Sequence, residues 1–249
     1  YSHPAAYTGD GHSLLVMLGG AGRTSLWQVA PPGSPRPAGR YRVPLPRYGP
    51  LAAISPDGRH LLKTDATGVE LWDATGDPPV LRQSLTYDGG VSGPQFTPDG
   101  RYALAYVPGP ALVTWAVTTK GLVERDRVDG NLRAYAVSPD GKTAALGGDQ
   151  KLDLYDLAEG KLKLRTSLNV PAKALSFSPD CKTLAAGDQA VKLIDVESAR
   201  VAREFSFREV RNEAVVCEQL AYHPDGRHLF VANGNHTVYV LRLAPPPGP

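Results

Sequence analysis

An all-β repeat fold is predicted for this chain by three observations. A short turn signature recurs along it, short apolar segments flank each copy, and a further segment of alternating polarity follows a Gly/Asp/Asn-containing turn. The copies of the signature are Ser55-Pro56-Asp57-Gly58, Thr97-Pro98-Asp99-Gly100, Ser138-Pro139-Asp140-Gly141, Ser178-Pro179-Asp180-Cys181 and His223-Pro224-Asp225-Gly226, with a weaker Thr8-Gly9-Asp10-Gly11. Their Asp residues stand at 10, 57, 99, 140, 180 and 225, at intervals of 47, 42, 41, 40 and 45 residues. That interval is the length of one four-stranded propeller blade.

The chemistry of the signature explains why it separates two strands. Pro presets φ for the second position of a type I turn, Asp fits the third, and Gly accepts the left-handed conformation that follows. Segments such as Leu51-Ala52-Ala53-Ile54, Tyr135-Ala136-Val137 and Ala174-Leu175-Ser176-Phe177 precede the turn and read as strand a. Those after it, such as His60-Leu61-Leu62, Tyr102-Ala103-Leu104-Ala105 and Leu229-Phe230-Val231-Ala232, read as strand b. Strand c alternates with period two, in Thr24-Ser25-Leu26-Trp27-Gln28-Val29, 69–73, 112–117, 152–156, 191–195 and 238–241. A more charged strand d follows, as in 80–85 and 162–165, where charge protects an exposed edge from further pairing. Four strands per repeat, six times, predict a β-propeller of about six blades.

These blades resemble the WD40 family. Trp72-Asp73 is the one literal Trp-Asp pair, and Trp27, Trp115, Tyr155, Ile194 and Leu241 take the matching place in the other repeats. No repeat has the Gly-His pair that precedes strand a in that family, so its Trp, Ser/Thr, His and Asp hydrogen-bond network is not expected in full. Asp65, Asp149 and Asp188 hold the b-to-c turn position where the family has Asp, and their expected role is to cap the turn backbone.

Residues 1–243 are expected to form a single propeller domain and 244–249 a Pro-rich tail. The last blade has strands a, b and c, and the run Ala244-Pro245-Pro246-Pro247-Gly248-Pro249 cannot supply a ladder strand. The missing strand d is expected from sequence upstream, which leaves seven blades open for the parent protein. Because the chain begins at Tyr1 instead of Met, a longer, multidomain polypeptide is the expectation. A hydrophobic content of 42% in 249 residues suffices for a sizeable core. A net charge of +2 gives no reason to expect nucleic acid or membrane as partner. No apolar run reaches membrane-span length. The compartment is left open, the cytoplasm being favoured, and a monomer is expected.

Motifs that carry chemistry are scarce. The six histidines, His3, His12, His60, His223, His228 and His236, fall mostly in or beside the repeated turn and show no zinc-like spacing. Gly19-Gly20-Ala21-Gly22 and Gly147-Gly148 fall at b-to-c turns and not at a helix start, so phosphate binding is not expected. Cys181 takes the place of a turn Gly, so either that turn changes type or Cys181 is tolerated in it. Cys217 is expected to pack in the core. Asp73, Asp156 and Asp195 read as carboxylates that start the c-to-d turn. No cofactor, metal or catalytic residue is therefore expected.

Function is expected at the loops, which are free to vary on a rigid scaffold. The d-to-a and b-to-c loops share one face in proteins of this resemblance. The residues there that differ most from repeat to repeat are Arg47, Tyr48, Tyr87, Asp88, Asn131, Arg133, Asn169, Lys173, Arg211 and Asn212. They form the predicted binding face for a protein or peptide partner, as in an interaction or sensory scaffold, since aromatic and Arg side chains make strong anchors. The alternative is a hydrolytic enzyme similar to lactonase-like propellers, which share Pro-Asp-Gly turns and a strand such as Leu193-Ile194-Asp195-Val196. It requires Glu218, Asp88, Arg133 and a His to converge around an ion. A third option is a spacer module.

Overall fold

A computed structural model gives the architecture of the protein. It describes the strand backbone at residues 5–7, 13–18, 23–28, 36–39 and 51, and residues 52–76, 78–207, 216–234 and 237–243 in full. The chain forms two compact units, Tyr1–Gly130 and Asn131–Pro249. Each consists of antiparallel meanders, and no helix occurs among the described residues. Among these residues no helix is thus long and apolar enough to cross a membrane.

The first unit holds three four-stranded sheets. They are β1 (Ala5–Tyr7), β2 (Ser13–Leu18), β3 (Arg23–Gln28) and β4 (Arg36–Gly39); β5 (Leu51–Ile54), β6 (His60–Asp65), β7 (Gly68–Asp73) and β8 (Val80–Thr86); and β9 (Ser92–Phe96), β10 (Tyr102–Val107), β11 (Ala111–Thr118) and β12 (Gly121–Asp129). The second unit holds two such sheets and a three-stranded one. These are β13 (Leu132–Val137), β14 (Thr143–Gly148), β15 (Leu152–Ala158) and β16 (Lys161–Leu168); β17 (Ala174–Phe177), β18 (Thr183–Gly187), β19 (Ala190–Asp195) and β20 (Arg200–Ser206); and β21 (Cys217–Tyr222), β22 (His228–Asn233) and β23 (Val238–Arg242). Strands a, b, c and d thus lie where the repeat predicts them, and the sixth sheet lacks strand d among the described residues. The proline run 244–249, the turn at Asp10 and Gly19-Gly20-Ala21-Gly22 lie outside the described residues.

The repeated signature builds the same turn in the second to fifth sheets. In the second sheet Ser55 Oγ donates to Asp57 Oδ1 at 2.6 Å and accepts from His60 N at 2.8 Å, while Arg59 N donates to the same Asp oxygen at 3.0 Å. Thr97 with Asp99, Ser138 with Asp140 and Ser178 with Asp180 repeat this. The fourth turn residue is left-handed in every described copy, at φ 71° for Gly58, 69° for Gly100, 70° for Gly141 and 67° for Gly226. Cys181 adopts φ 61°. The turn therefore keeps its type in the fifth sheet, and a Cβ is carried there at a cost of about 1 kcal/mol.

Strand d is irregular at one fixed place. The c-to-d register shifts between Leu26 and Trp27, Leu71 and Trp72, Thr114 and Trp115, Leu154 and Tyr155, and Leu193 and Ile194. One extra residue at each of these points bends the outer strand and adds local twist. Trp72 itself donates from Nε1 to Glu70 Oε2 at 2.9 Å, and Lys63 Nζ lies 3.0 Å from the same oxygen. A local carboxylate thus replaces the missing His as the partner network of the indole.

In the second to fifth sheets strand b is buried on both faces, most fully in β14, where all six residues are covered. Within the first unit Leu62, Leu71, Ala103, Val113 and Trp115 form one core. In the second, Ala145, Leu154, Leu184 and Ile194 form a core, and Ala185, Leu193, Cys217, Leu229 and Val231 another. The small residues of strand b let successive sheets approach. An ideal Cβ on Gly147 would lie 2.6 Å from the carbonyl oxygen of Ala172, and one on Gly187 would lie 2.5 Å from Cys217 Sγ. Backbone bonds fasten the same joints: Val91 N to Asp65 O at 2.8 Å, Ala172 N to Gly148 O at 2.9 Å, and Cys217 N to Asp188 O at 2.7 Å. Each ties the start of one strand a to the preceding sheet's b-to-c turn.

Candidate functional site

Two of these joints place the starts of β17 and β21 beside the b-to-c turns of the preceding sheets, at one end of the second unit. Across them runs a cleft of about 510 Å³ lined by Arg133, Asp149, Lys173, Val216, Cys217 and Glu218. Arg133, exposed near the start of β13, grips Asp149 through two nitrogens, Nε at 3.0 Å from Oδ1 and Nη2 at 2.9 Å from Oδ2. The guanidinium holds the Asp149 carboxyl below its ordinary value, with Lys173 adding in the same direction, and the carboxylate in turn raises Arg133 further. One sheet on, Lys173 Nζ lies 2.9 Å from Asp188 Oδ1. The two pairs form a row of alternating charge.

The sixth sheet inverts the pattern. Its strand a carries Glu218 where the fourth sheet has Arg133, and its b-to-c turn has Gly234 where the fourth has Asp149. Glu218 folds toward that glycine, Oε1 lying 2.8 Å from where a Cβ would stand. Between them Cys217 is 1% exposed, and burial pushes its thiol up to about 12. It is a packed floor residue, as expected, and is not nucleophilic near neutral pH.

Of the residues expected on the binding face, Arg133 and Lys173 meet in this cleft. Asn131 and Asn169 are exposed in the same unit, each just before a strand a or its entry loop, outside the cleft lining. Tyr87 is half buried in the first unit, packed edge-on to Trp115 with ring centroids 6.4 Å apart. It anchors its loop to the core, and burial raises its hydroxyl. Asp88 beside it is exposed. Arg47, Tyr48, Arg211 and Asn212 lie outside the described residues.

Three expectations need correction. Asp65 caps its own turn, accepting from Thr67 N at 2.8 Å. Asp149 and Asp188 instead hold cations from strand a, because a cation stands 16 and 15 residues upstream of them in Arg133 and Lys173. That spacing was the available signal. Likewise Asp73 and Asp195 cap Thr75 and Ser198, but Asp73 also pairs with Arg82 of strand d, as Asp156 does with Arg165, whose Nε is 2.8 Å away. The histidines, read as lacking a neighbouring His or carboxylate, include a cluster: His223, Asp225 and His228 bring one ligand atom each to within 4.8 Å of the others. The Pro-Asp-Gly turn folds His223 back toward the start of β22, which linear spacing did not reveal. His3, His12 and His236 lie outside the described residues.

For the enzymatic alternative, Glu218 and Arg133 line one cleft but no His is among its lining residues, and Asp88 belongs to the other unit.

Repeated four-stranded sheets, a Trp-Asp strand c and Ser/Thr-Pro-Asp turns at one-blade intervals define the class as WD40-type β-propeller repeats. The comparisons agree. The chain is 32% identical over 120 residues to small ribosomal subunit protein RACK1y of Oryza sativa subsp. japonica, covering 47% of this chain and 36% of that one. It is 32% identical over 122 residues to the small ribosomal subunit protein RACK1 of Caenorhabditis elegans, covering 46% and 38%. Over 107 residues it is 36% identical to cross-pathway control WD-repeat protein 2 of Flammulina velutipes, covering 41% and 34%. No protein-family model matches the chain. This is a WD40-repeat protein distantly related to RACK1, and it spans less than two fifths of the length of these relatives.

Proposed function

We propose that the chain is a scaffold that binds a protein partner across the strand-a and b-to-c end of its second unit, with Arg133 and Lys173 as the recognition charges. The observation that carries this reading is the cleft itself, whose lining comes from three successive sheets and alternates in sign. Rigid sheets fix the spacing of these charges, so a partner that matches the alternation binds without ordering the site. Arg133 is already held by two bonds to Asp149, so its planar face is presented in one orientation. Relatives named as WD-repeat and small ribosomal subunit proteins favour assembly with other macromolecules over catalysis.

The test compares capture by the full chain and by an Arg133→Ala, Lys173→Ala variant from a lysate of the source organism, read by mass spectrometry. A protein retained by the first and lost by the second, at unchanged melting temperature, is the expected result. Equal capture by both removes this face from consideration.

A further inference from the structure

The a-to-b turn of the sixth sheet differs from the others in one chemical respect. Where the other described turns have Ser or Thr, it has His223; His228, which begins strand b, has its counterparts in His60 of the second sheet and in Thr143 and Thr183 of the fourth and fifth. Both rings converge on one carboxylate oxygen. His223 Nδ1 lies 3.1 Å and His228 Nδ1 2.8 Å from Asp225 Oδ2.

The two oxygens of Asp225 have separate tasks. Oδ1 accepts from Arg227 N at 2.7 Å and from His228 N at 3.3 Å, which is the turn-closing role of its counterparts. Oδ2 is left to the imidazoles. His223 Nδ1 also lies 3.2 Å from Asp225 N. The three side chains thus bring one ligand atom each to within 4.8 Å of the others. Ligand atoms around a tetrahedral zinc ion, at about 2.0–2.2 Å from the metal, stand about 3.3 Å apart. The two His–Asp spacings of 3.1 and 2.8 Å come within about half an ångström of that value.

We propose that His223, Asp225 and His228 form a surface site for a borderline divalent cation of the zinc type. Two imidazole nitrogens and one carboxylate oxygen supply three ligands, and water completes the shell because the three side chains are 47%, 35% and 36% exposed. The ion takes the place of the proton that otherwise joins His228 to Asp225. Bound there, it fastens strands β21 and β22 at their shared turn. The donor set selects zinc, nickel or copper over calcium and magnesium, which prefer all-oxygen shells.

The full chain is titrated with zinc chloride by calorimetry, beside His223→Ser and His228→Thr variants. Each variant restores the residue that other sheets use at that place, so the turn is kept. One equivalent of zinc is expected to bind the native chain, with affinity reduced more than about tenfold in each variant. Zinc, but not magnesium, should raise the melting temperature of the native chain and not that of the variants. Equal zinc uptake by the native chain and His223→Ser, or no uptake by the native chain, overturns the site.

Discussion

The two ends of each sheet obey different rules. At the a-to-b end, four turns place a Ser or Thr hydroxyl 2.5–2.6 Å from an Asp oxygen, and five turns hold their fourth residue between φ 61° and 71°. At the opposite end only the fourth and fifth of the described sheets agree. The b-to-c turn is capped by Asp65 in the second sheet, runs through Pro108-Gly109-Pro110 in the third, ties Arg133 and Lys173 in the fourth and fifth, and ends on Gly234 in the sixth. Uniform geometry serves folding, because every sheet needs the same chain reversal. Divergent side chains on fixed joints serve recognition.

The largest test of that division strikes the joint that the variable end stands on. Gly147→Val places a branched side chain where even a Cβ lies 2.6 Å from a backbone oxygen and 2.8 Å from Ala172 Cβ. Sheets four and five must then separate, at about 3 kcal/mol. The urea midpoint of the variant should fall accordingly; an unchanged midpoint shows that the close approach is not needed.

Next comes the uniform end. Ser138→Ala leaves the buried Thr143 N–H without its hydroxyl acceptor, 2.9 Å away in the native turn, and costs about 1–2 kcal/mol. The same change alters the acid limb. Burial, which would raise Asp140, is outweighed by the bonds from Ser138 Oγ and Lys142 N, so its carboxyl sits below the ordinary value. A carboxylate depressed on folding contributes stability that is fully present above about pH 4 and is lost as pH falls through its folded value. Stability measured from pH 6 down to pH 2 should therefore fall less steeply in Ser138→Ala than in the native chain.

The turn with a Cβ in the left-handed region predicts a change of opposite sign. Cys181→Gly relieves φ 61° and should stabilise the chain by about 1 kcal/mol, less the entropy that Gly adds to the unfolded state. A higher melting temperature is the expected reading, and a lower one means that Cys181 makes a contact worth more than the strain.

This contrast also explains what could be read in advance. The Pro-Asp-Gly copies announced the sheets and their order because local backbone chemistry alone determines such turns. Arg133 and Lys173 stand out by differing between repeats, yet the sequence alone makes Asp149 and Asp188 look like caps, since Asp65 at the same place is one. Whether a turn carboxylate bonds its own backbone or a neighbouring strand depends on what faces it across the sheet, and that is set by register. The histidine cluster was hidden for a related reason: His223 and His228 meet only once the turn between them closes on Asp225.

The smallest expected effect on stability is the sharpest for function. Arg133 and Asp149 are both largely exposed, at 51% and 41%, and pairs of that kind contribute within about 0.5 kcal/mol. Exchanging them, as Arg133→Asp with Asp149→Arg, keeps an ion pair across the same two strands while moving the cation from strand a to the b-to-c turn. Melting temperature should hold. Partner capture should not, because Lys173 lies one sheet away and the row of alternating charge would place two cations side by side. Like charges set against a matched partner are costly in a way that loss of one contact is not. If the exchanged chain still captures the same protein, the charge order is irrelevant, and the shape of the cleft around Val216 and Cys217 is what the partner reads.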